Sequence, residues 1–430
     1  MLGLAGFVVL AVSDYGGELE QAIETTADLV GCPQCGAVAE LHDRRPSWVR
    51  DLPVAGRPVT LVWVKRVWRC RHRLCEMVTW TETSPVIAPR ASLTERARRE
   101  ICRRVGEDGA SVAAVAREFG VGWRTAMDAV REHGIHRVDD PHRLDGVEIV
   151  GLDETAFRAA SATGSTSFVS GIVDLTRTGG RSARLLDVID ERSASALVSW
   201  VNQREAGWRA GIRTAALDPY RGYASALRTA LPHAVQVLDA FHVVRLGFAA
   251  VDDVRRRIQH EQTGHRGHRD DPLYRIRRLL RRSHDHHSQR SWARPLAGLD
   301  AGDTHDEQLA RTWIAAQDLR LIYHAPDRAR AEQQLYRWLT YCADTDIPEL
   351  HRLARTIDSW RSELLAYFDT GGVSNGPTEA INLLIKKIKR VGHGFRNFDN
   401  YRLRLLLHCG VHWNTVRATP IRGRPPHSVA

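Results

Sequence analysis

Residues 147–157 read VEIVGLDETAF, and this stretch decides how the fold of the chain is interpreted. An apolar, β-branched run ends in the carboxylate of Asp153, as in a buried strand whose last residue emerges at a sheet edge. A second run of this kind, IRTAALD at residues 212–218, ends in Asp218. The pattern predicts two strands that each end in a candidate metal ligand.

Further strands and helices are predicted around these two runs. SFVSGIVDL and ARLLDVID follow the first run, AVQVLD follows the second, and helices are predicted to begin near Ser193 and Tyr220. The order β-β-β-α-β-α-β-α matches a ribonuclease H-like mixed sheet flanked by helices. In that arrangement the first and fourth strands are neighbours, so we expect Asp153 and Asp218 to lie close together.

A third carboxylate, Glu379, occurs in SNGPTEAINLLIKKIKR at residues 374–390. Gly376 is predicted to cap a helix and Pro377 to lie in its first turn. A Glu in the first turn is also a common capping residue, because it interacts favourably with the helix dipole. Glu379 nevertheless shares a predicted helix face with Asn382, and that face carries cations further on. Glu379 is therefore the third candidate ligand.

Two neighbouring acids compete with this assignment. Glu154 follows Asp153, but adjacent side chains on a strand point to opposite faces, so only one of the two is expected at a metal site. Asp239 also ends a predicted strand. With His242 three residues later, it is either a ligand in place of Asp218 or part of a pair that orients one.

The composition indicates a multidomain globular protein that binds an anionic polymer. The chain has 430 residues, 43% of them apolar, which suggests two to four domains, and its formal net charge is +10. The apolar start, MLGLAGFVVLAV, has no basic residue before Arg44 and is too short to span a bilayer, so we interpret it as a strand. We expect a cytoplasmic protein with no membrane association.

Four of the seven cysteines form two close pairs, GCPQCG and CRHRLC. Pairs at this spacing are typical of a zinc ribbon, in which four thiolates hold one structural Zn²⁺. We predict that the ligands are Cys32, Cys35, Cys70 and Cys75. His72 is an alternative to one of these thiolates, and a redox function of the first pair is the competing interpretation. The other three cysteines are predicted to pack in helices.

Residues 92–134 have the pattern of three short helices with two turns. Ser111 is predicted to cap the second helix, and residues 123–132 form the second member of a helix-turn-helix pair. Arg124 and Arg131 are then expected to contact DNA. A three-helix bundle without DNA contacts is the alternative.

Residues 245–368 are rich in arginine and poor in strand patterns, and we interpret them as an all-helical insertion. The complete predicted organisation is: N-terminal strands and zinc ribbon, 1–85; helix-turn-helix domain, 90–138; first part of a ribonuclease H-like catalytic domain, 145–244; helical insertion, 245–368; last part of the catalytic domain, 369–415; tail, 416–430.

These motifs, in this order, closely resemble those of bacterial insertion-sequence transposases of the ISL-three type. The resemblance rests on GLDETAF, ALDPYRGYASAL, LDAFHVVRL, SNGPTEAIN and GFRNFDNYRLRLLL behind the CPQCG ribbon, and it extends over residues 25–413. It implies a DDE transposase whose triad is Asp153, Asp218 and Glu379. Two Mg²⁺ ions, for which Mn²⁺ can substitute, are then expected for DNA cleavage and strand transfer.

The resemblance also implies partners and their contacts. We expect binding to double-stranded DNA, both at the terminal inverted repeats of the element and at the target, by a homo-oligomer associated with the nucleoid. Basic residues that follow the third carboxylate are expected to contact this DNA: Lys386, Lys387, Lys389, Arg390 and Arg396. A DNA-binding regulator without catalysis and a nuclease without strand transfer remain as alternatives.

Overall fold

The computed structural model describes residues 3–158, 166–190, 193–286, 288 and 305–413. By their internal contacts, the described residues group into two compact units. The first unit combines residues 1–143 with the residues from 385 onward, and the second comprises residues 144–384. Among the described residues, no helix has the length and apolarity needed to cross a membrane.

A five-stranded sheet opens the first unit. Its strands are β1 Phe7–Tyr15, β2 Glu18–Thr25, β3 Glu40–Val54, β4 Arg57–Arg69 and β5 Thr79–Thr81. The order is β1-β2-β4-β3, with β5 paired to β4, and only the β2–β4 pair is parallel. Alternating apolar residues of β2 and β4, among them Ile23, Leu61 and Trp63, are fully buried and form a small core on one face.

The first unit continues with the helices α1 Glu95–Gly106, α2 Val112–Glu118 and α3 Trp123–Val138. The hydroxyl of Ser111 accepts a hydrogen bond from the backbone N–H of Ala114, so Ser111 caps α2 as its sequence position predicts. The second helix packs against the third, and Phe119 at the end of α2 and Met127 of α3 are both buried.

A mixed sheet forms the centre of the second unit. Its strands are β6 Ile149–Arg158, β7 Ser167–Asp174, β8 Arg184–Ile189, β9 Thr214–Leu217 and β10 Val235–Leu238. The order is β10-β9-β6-β7-β8; β6, β7 and β8 form an antiparallel meander, whereas β9 runs parallel to both β6 and β10. The predicted adjacency of the first and fourth strands is thus present.

Helices alternate with the later strands of this sheet and follow them in the sequence. Between β8 and β10 they are α4 Ala194–Asn202, α5 Ala206–Gly211 and α6 Arg221–Ala230. After it come α7 Ala240–Thr263, α8 Pro272–Ile276, α9 His305–Ile322, α10 Arg328–Ala343, α11 Pro348–Ser359 and α12 Arg361–Asp369. One apolar core runs from the sheet into these helices, because Val243 and Val251 of α7 belong to the same cluster as Leu217 of β9.

Two helices end the described chain, α13 Gly376–Val391 and α14 Phe398–Cys409. The boundary between the two units falls within α13, at residue 385. In the first unit, α14 packs against α1 and α3, where Leu407 approaches Gly134.

Candidate active site and zinc site

Asp153 and Asp218 occupy equivalent positions on adjoining strands. Leu152 of β6 pairs with Leu217 of β9, so each aspartate is the next residue after an aligned pair. Burial and the neighbouring carboxylate of Asp218 together raise the pKa of Asp153 to about 7. The two carboxylates are therefore close enough to repel each other.

The end of β6 differs from the prediction. We expected the strand to end at Asp153, but it continues to Arg158 because β7 remains its hydrogen-bonding partner beyond that point. Only the pairing with β9 stops at Leu152. Asp153 is therefore the first residue beyond the paired segment of β6 and β9, while its backbone is still paired with β7.

The first turns of α13 cover the two aspartates with amide side chains. Asn382 donates a hydrogen bond to Asp153 Oδ2 and accepts one from Thr155 Oγ1 at 3.1 Å. Since Asp153 and Thr155 both contact Asn382, they share one face of β6, and Glu154 between them belongs to the other face. The carboxylate that faces α13 is therefore that of Asp153, and its role as a metal ligand stays a prediction.

Asn375, immediately before α13, is fully buried and connects three elements. Its Nδ2 donates to the carbonyl of Leu152 at 2.9 Å and to Asp218 Oδ1 at 3.3 Å. Its Oδ1 accepts a hydrogen bond from the hydroxyl of Thr378 at 2.5 Å. This one side chain thus fixes the start of α13 against the ends of both strands.

Asp239 and His242 form a chain of hydrogen bonds behind Asp218. Asp239 caps α7; its Oδ2 contacts His242 Nδ1 at 2.9 Å, and its Oδ1 accepts the backbone N–H of Asn375 at 2.7 Å. The other ring nitrogen, His242 Nε2, lies 3.0 Å from Asp218 Oδ2. Burial opposes the charge on His242, but its hydrogen bonds to Asp218 and Asp239 raise its pKa to about 9.

Glu379 lies in the second position after Pro377 on α13, and its side chain is partly buried. The helix begins at Gly376 and Asn375 precedes it, so the predicted cap at Gly376 is wrong by one residue. Helical spacing puts Glu379 on the same side of α13 as Asn375 and Asn382. Among the described residues, one group of three acidic or histidine side chains has ligand atoms within 4.8 Å of one another. It consists of Asp218, Asp239 and His242, and neither Asp153 nor Glu379 belongs to it.

The four predicted cysteines come together in the first unit. Cys32 Sγ lies 3.8 Å from Cys75 Sγ, and Cys35 Sγ lies 3.6 Å from Cys70 Sγ. All four sulfur atoms are within 4.8 Å of one another. A tetrahedron with Zn–S bonds of about 2.3 Å has edges of about 3.8 Å, so this cluster fits Zn²⁺.

His72 is not needed as a zinc ligand. It contributes its backbone N–H to Cys70 Sγ at 3.4 Å and its carbonyl to the N–H of Cys75, which shapes the turn between the two cysteines. Its ring is not part of the metal-binding group found among the described residues. The alternative in which His72 replaces one thiolate is therefore not supported.

Comparison with known protein families agrees with this arrangement. The ISL3 transposase model matches residues 150–405, more than half of the chain. The chain belongs to the ISL3 family of transposases. Two further models match its N-terminal part: the zinc finger of the transposases of IS204, IS1001, IS1096 and IS1165 at residues 28–75, and the helix-turn-helix domain of ISL3 transposases at residues 82–134. The resemblance inferred from the motifs is confirmed.

Individual relatives of this ISL3 transposase are distant but extend along most of its length. It is 25% identical to the transposase for insertion sequence element IS1001 of Bordetella parapertussis, over 91% of this chain and 92% of the relative. It is also 25% identical to the transposase for element IS1557 of Mycobacterium tuberculosis, over 67% and 66%. The Drosophila P element transposase strand transfer complex matches with a TM-score of 0.39, 11% identity and coverage of 73% and 91%.

The predicted DNA-contacting residues of the transposase differ in how exposed they are and in whether they bond to other residues of the protein. Arg124, on α3, has a side chain that is 92% exposed. Arg131 instead bonds within the first unit, to Asp128 Oδ1 at 3.1 Å and to Asn400 Oδ1 of α14 at 3.0 Å. Exposed positions after residue 385 are Lys386, Lys387, Arg390 and Arg396, whereas Lys389 is partly buried. Their DNA contacts stay predictions.

The sequence did not single out Asn375 and Thr378. Both lie in SNGPTE, where Asn-Gly-Pro was interpreted only as the start of a helix. Asn is among the best helix-capping residues, so its position before Gly376 was a usable signal for the cap. No feature of the sequence indicated that its amide reaches the ends of β6 and β9.

Proposed function

We propose that this transposase cleaves the ends of its insertion sequence and joins them to target DNA with Asp153, Asp218 and Glu379 as a DDE triad that binds Mg²⁺. The observation that carries the proposal is the pair of carboxylates at equivalent positions of two adjoining parallel strands. A bound divalent cation would relieve the repulsion between these two partly buried carboxylates.

The donor set fits a hard cation. Asp153 and Asp218 offer carboxylate oxygens, and the side chain of Asp218 retains 17% exposure, which leaves it accessible to a ligand. Glu379, partly buried on the same side of α13 as Asn382, is the third donor we propose. When bound, Mg²⁺ activates the attacking oxygen and stabilises the leaving oxygen of the phosphodiester, and we expect Mn²⁺ to substitute.

Asp239 is better suited to position Asp218 than to bind the ion. It is 1% exposed, and both of its oxygens are already engaged, by the N–H of Asn375 and by His242. His242, protonated at neutral pH because its two carboxylate partners raise its pKa, holds Asp218 Oδ2 in place. In the same way Asn382 holds Asp153.

We further propose that the second unit is a ribonuclease H-like domain. The β6–β10 sheet supports this, since it combines an antiparallel meander with two parallel strands and carries both aspartates on adjoining strands. The helices from α7 to α12 separate β10 from α13, which fits an insertion that precedes the third carboxylate.

The partner we propose is double-stranded DNA, recognised at the inverted repeats by the ribbon and helix-turn-helix of the first unit. Two ends of one element must be cut and joined together, so the active form is expected to contain more than one subunit. Oligomerisation on DNA is therefore part of the proposal.

The first experiment incubates the purified protein and Mg²⁺ with a supercoiled plasmid that carries the DNA flanking its own gene. We expect metal-dependent breaks at the inverted ends, followed by joining of the new 3′ ends to other DNA. The Asp153→Asn variant should bind the same DNA without cutting it. Binding by the wild type without breaks would favour the regulator, and breaks without joining would favour the nuclease.

A second comparison separates Asp218 from Asp239. Asp218→Asn should abolish cleavage, because an amide cannot replace an anionic metal ligand. Asp239→Asn should reduce the cleavage rate by about 10- to 100-fold, the usual effect of losing a residue that orients a ligand. Both variants should retain affinity for DNA. If Asp218→Asn still cuts and Asp239→Asn does not, the ligand assignment moves to Asp239.

A further inference from the structure

Arg404, on α14, is a buried cation without a carboxylate partner among the described residues. It is 4% exposed, and within the described part of the chain its side chain makes one hydrogen bond, from Nη2 to the carbonyl of Ala110 at 2.9 Å. Its Nε has no hydrogen-bond partner among these same residues. Burial lowers the pKa of Arg404 to about 10, so the guanidinium is still charged at neutral pH. A buried charge that lacks a counterion is costly, and such a group is expected to have an anionic ligand.

Arg404 is one of the residues that line a cavity of about 250 Å³, and all of these lining residues belong to the first unit. Trp123 of α3 forms part of the wall, and Phe395 and Arg396, between α13 and α14, form another part. The Phe395 ring centre is 5.3 Å from the guanidinium carbon of Arg404. None of the described residues that line the cavity is acidic, whereas His393 and Arg396 add basic groups to it. The side chains that line the cavity are thus basic or neutral, which favours the binding of an anion.

The helix-turn-helix contributes a further attraction for negative charge at this cavity. α3 begins at Trp123 without a side-chain cap and without an acidic residue in its first turn. Its first N–H groups and the positive end of its dipole are therefore not neutralised by a local side chain. Trp123, which is 50% exposed, marks this opening on the surface.

We propose that this cavity binds one phosphodiester group of the DNA held by the first unit, with Arg404 as its buried cation. The inference rests on the proposed DNA binding by that unit. The planar fork of an arginine matches the oxygens of a phosphate, and Arg404 has donors to spare. α14, the last helix among the described residues, is thereby part of the DNA-binding surface, although residues 144–384 lie between it and the helix-turn-helix in the sequence.

The test measures binding of full-length protein to a duplex from the element's end in which single phosphates are replaced, one at a time, by neutral methylphosphonates. For the wild type, we expect one replaced linkage to weaken binding by about 10- to 100-fold, the effect of losing a charge-assisted hydrogen bond. Arg404→Gln should weaken binding of the unmodified duplex by a similar factor and should show no further loss at that linkage. For Arg404→Gln, the slope of log Kd against log salt concentration should be smaller than that of the wild type by about 0.9, which corresponds to one phosphate.

Two controls separate this contact from a structural effect. Arg99→Gln removes another arginine of the first unit, one that is 70% exposed and paired with Glu95, and it should leave the sensitivity to the linkage unchanged. Arg404→Met should unfold at the same or a higher temperature than the wild type in the absence of DNA, because it replaces an unpaired buried charge with an apolar chain.

Three results would overturn the inference. If Arg404→Gln remains sensitive to the same linkage, the guanidinium does not contact that phosphate. If the wild type binds the duplex but no single methylphosphonate weakens its binding more than it weakens binding by Arg404→Gln, the cavity does not hold a phosphate of the DNA. If the wild type does not bind the unmodified duplex at all, the proposed DNA binding by the first unit fails, and this inference fails with it.

Discussion

Asn375 shows how a single amide can determine the geometry of a pair of carboxylates. It contacts Asp218 directly, holds the carbonyl of Leu152 beside Asp153, and donates its own N–H to Asp239. Each of these groups is buried or partly buried, so losing a hydrogen bond among them costs about 1–3 kcal/mol. The repulsion between the two aspartates is therefore opposed by a network of hydrogen bonds within the protein.

Gly151 is the residue that allows Asn375 to come so close. A Cβ atom at this position would lie 2.3 Å from Thr378 Oγ1 and 2.6 Å from Asn375 Oδ1. We therefore expect Gly151→Ala to displace the start of α13, to lower the free energy of unfolding by about 1–3 kcal/mol and to abolish most of the cleavage activity. Thermal unfolding and the plasmid assay measure the two effects.

Gly171 provides the matched control for that substitution. It lies on β7 opposite Asp153, and a Cβ atom there would have only ordinary contacts, 3.7 Å from the carbonyl oxygen of Asp153 and 4.0 Å from Leu185. Gly171→Ala should therefore leave stability and cleavage nearly unchanged. Equal effects of the two substitutions would show that the space beside Asn375 is not critical.

The strands and helices around the site differ in how far the sequence predicts them. The apolar runs that precede Asp153 and Asp218 are sufficient to predict two buried strands, and the strand order then predicts that they are neighbours. The continuation of β6 to Arg158 was missed, because its pairing with β7 depends on a distant segment and not on the local pattern. The hydrogen bonds of Asn375 were missed for the same reason.

We expect the structure of the zinc ribbon to depend on its metal. Backbone hydrogen bonds also shape its two knuckles, such as the one from Cys32 N–H to the carbonyl of Ala37 at 2.8 Å. We expect Cys35→Ala to abolish zinc binding and to increase hydrogen exchange in the ribbon, since binding free energy is folding free energy in such sites. Elemental analysis of the purified protein measures the metal.

Cys102→Ala is the control for the ribbon prediction. Cys102 is buried in α1, away from the cluster, with its Sγ 3.8 Å from the carbonyl of Val130. This variant should lose about 1 kcal/mol of stability, as for other small truncations in a core, and keep its zinc. Retention of zinc by Cys35→Ala would contradict the four-cysteine assignment.

At the scale of the whole chain, the first unit is built from both ends of the sequence. The motif GFRNFDNYRLRLLL does not specify which part of the protein it packs against, and we assigned residues 369–415 to the catalytic domain. By contacts, the residues from 385 onward group with residues 1–143. Close approach at Gly134 shows why α14 can pack there, because Leu407 fills the space that a side chain on α3 would occupy.

This packing predicts that α14 unfolds with α1 and α3 and not with the β6–β10 sheet. A Cβ atom at Gly134 would lie 2.8 Å from Leu407 Cδ1, and Leu407 is fully buried, so Gly134→Val should destabilise the first unit by about 1–3 kcal/mol. Native-state hydrogen exchange should then show lower protection in α1, α3 and α14 together, with unchanged protection in the sheet. His136→Val places the same β-branched residue at an exposed position of α3 and should cost only a few tenths of a kcal/mol. Two outcomes would contradict this prediction: α14 could keep its protection in Gly134→Val, or it could lose protection together with the sheet. Either result would place α14 in a different folding unit from the helix-turn-helix.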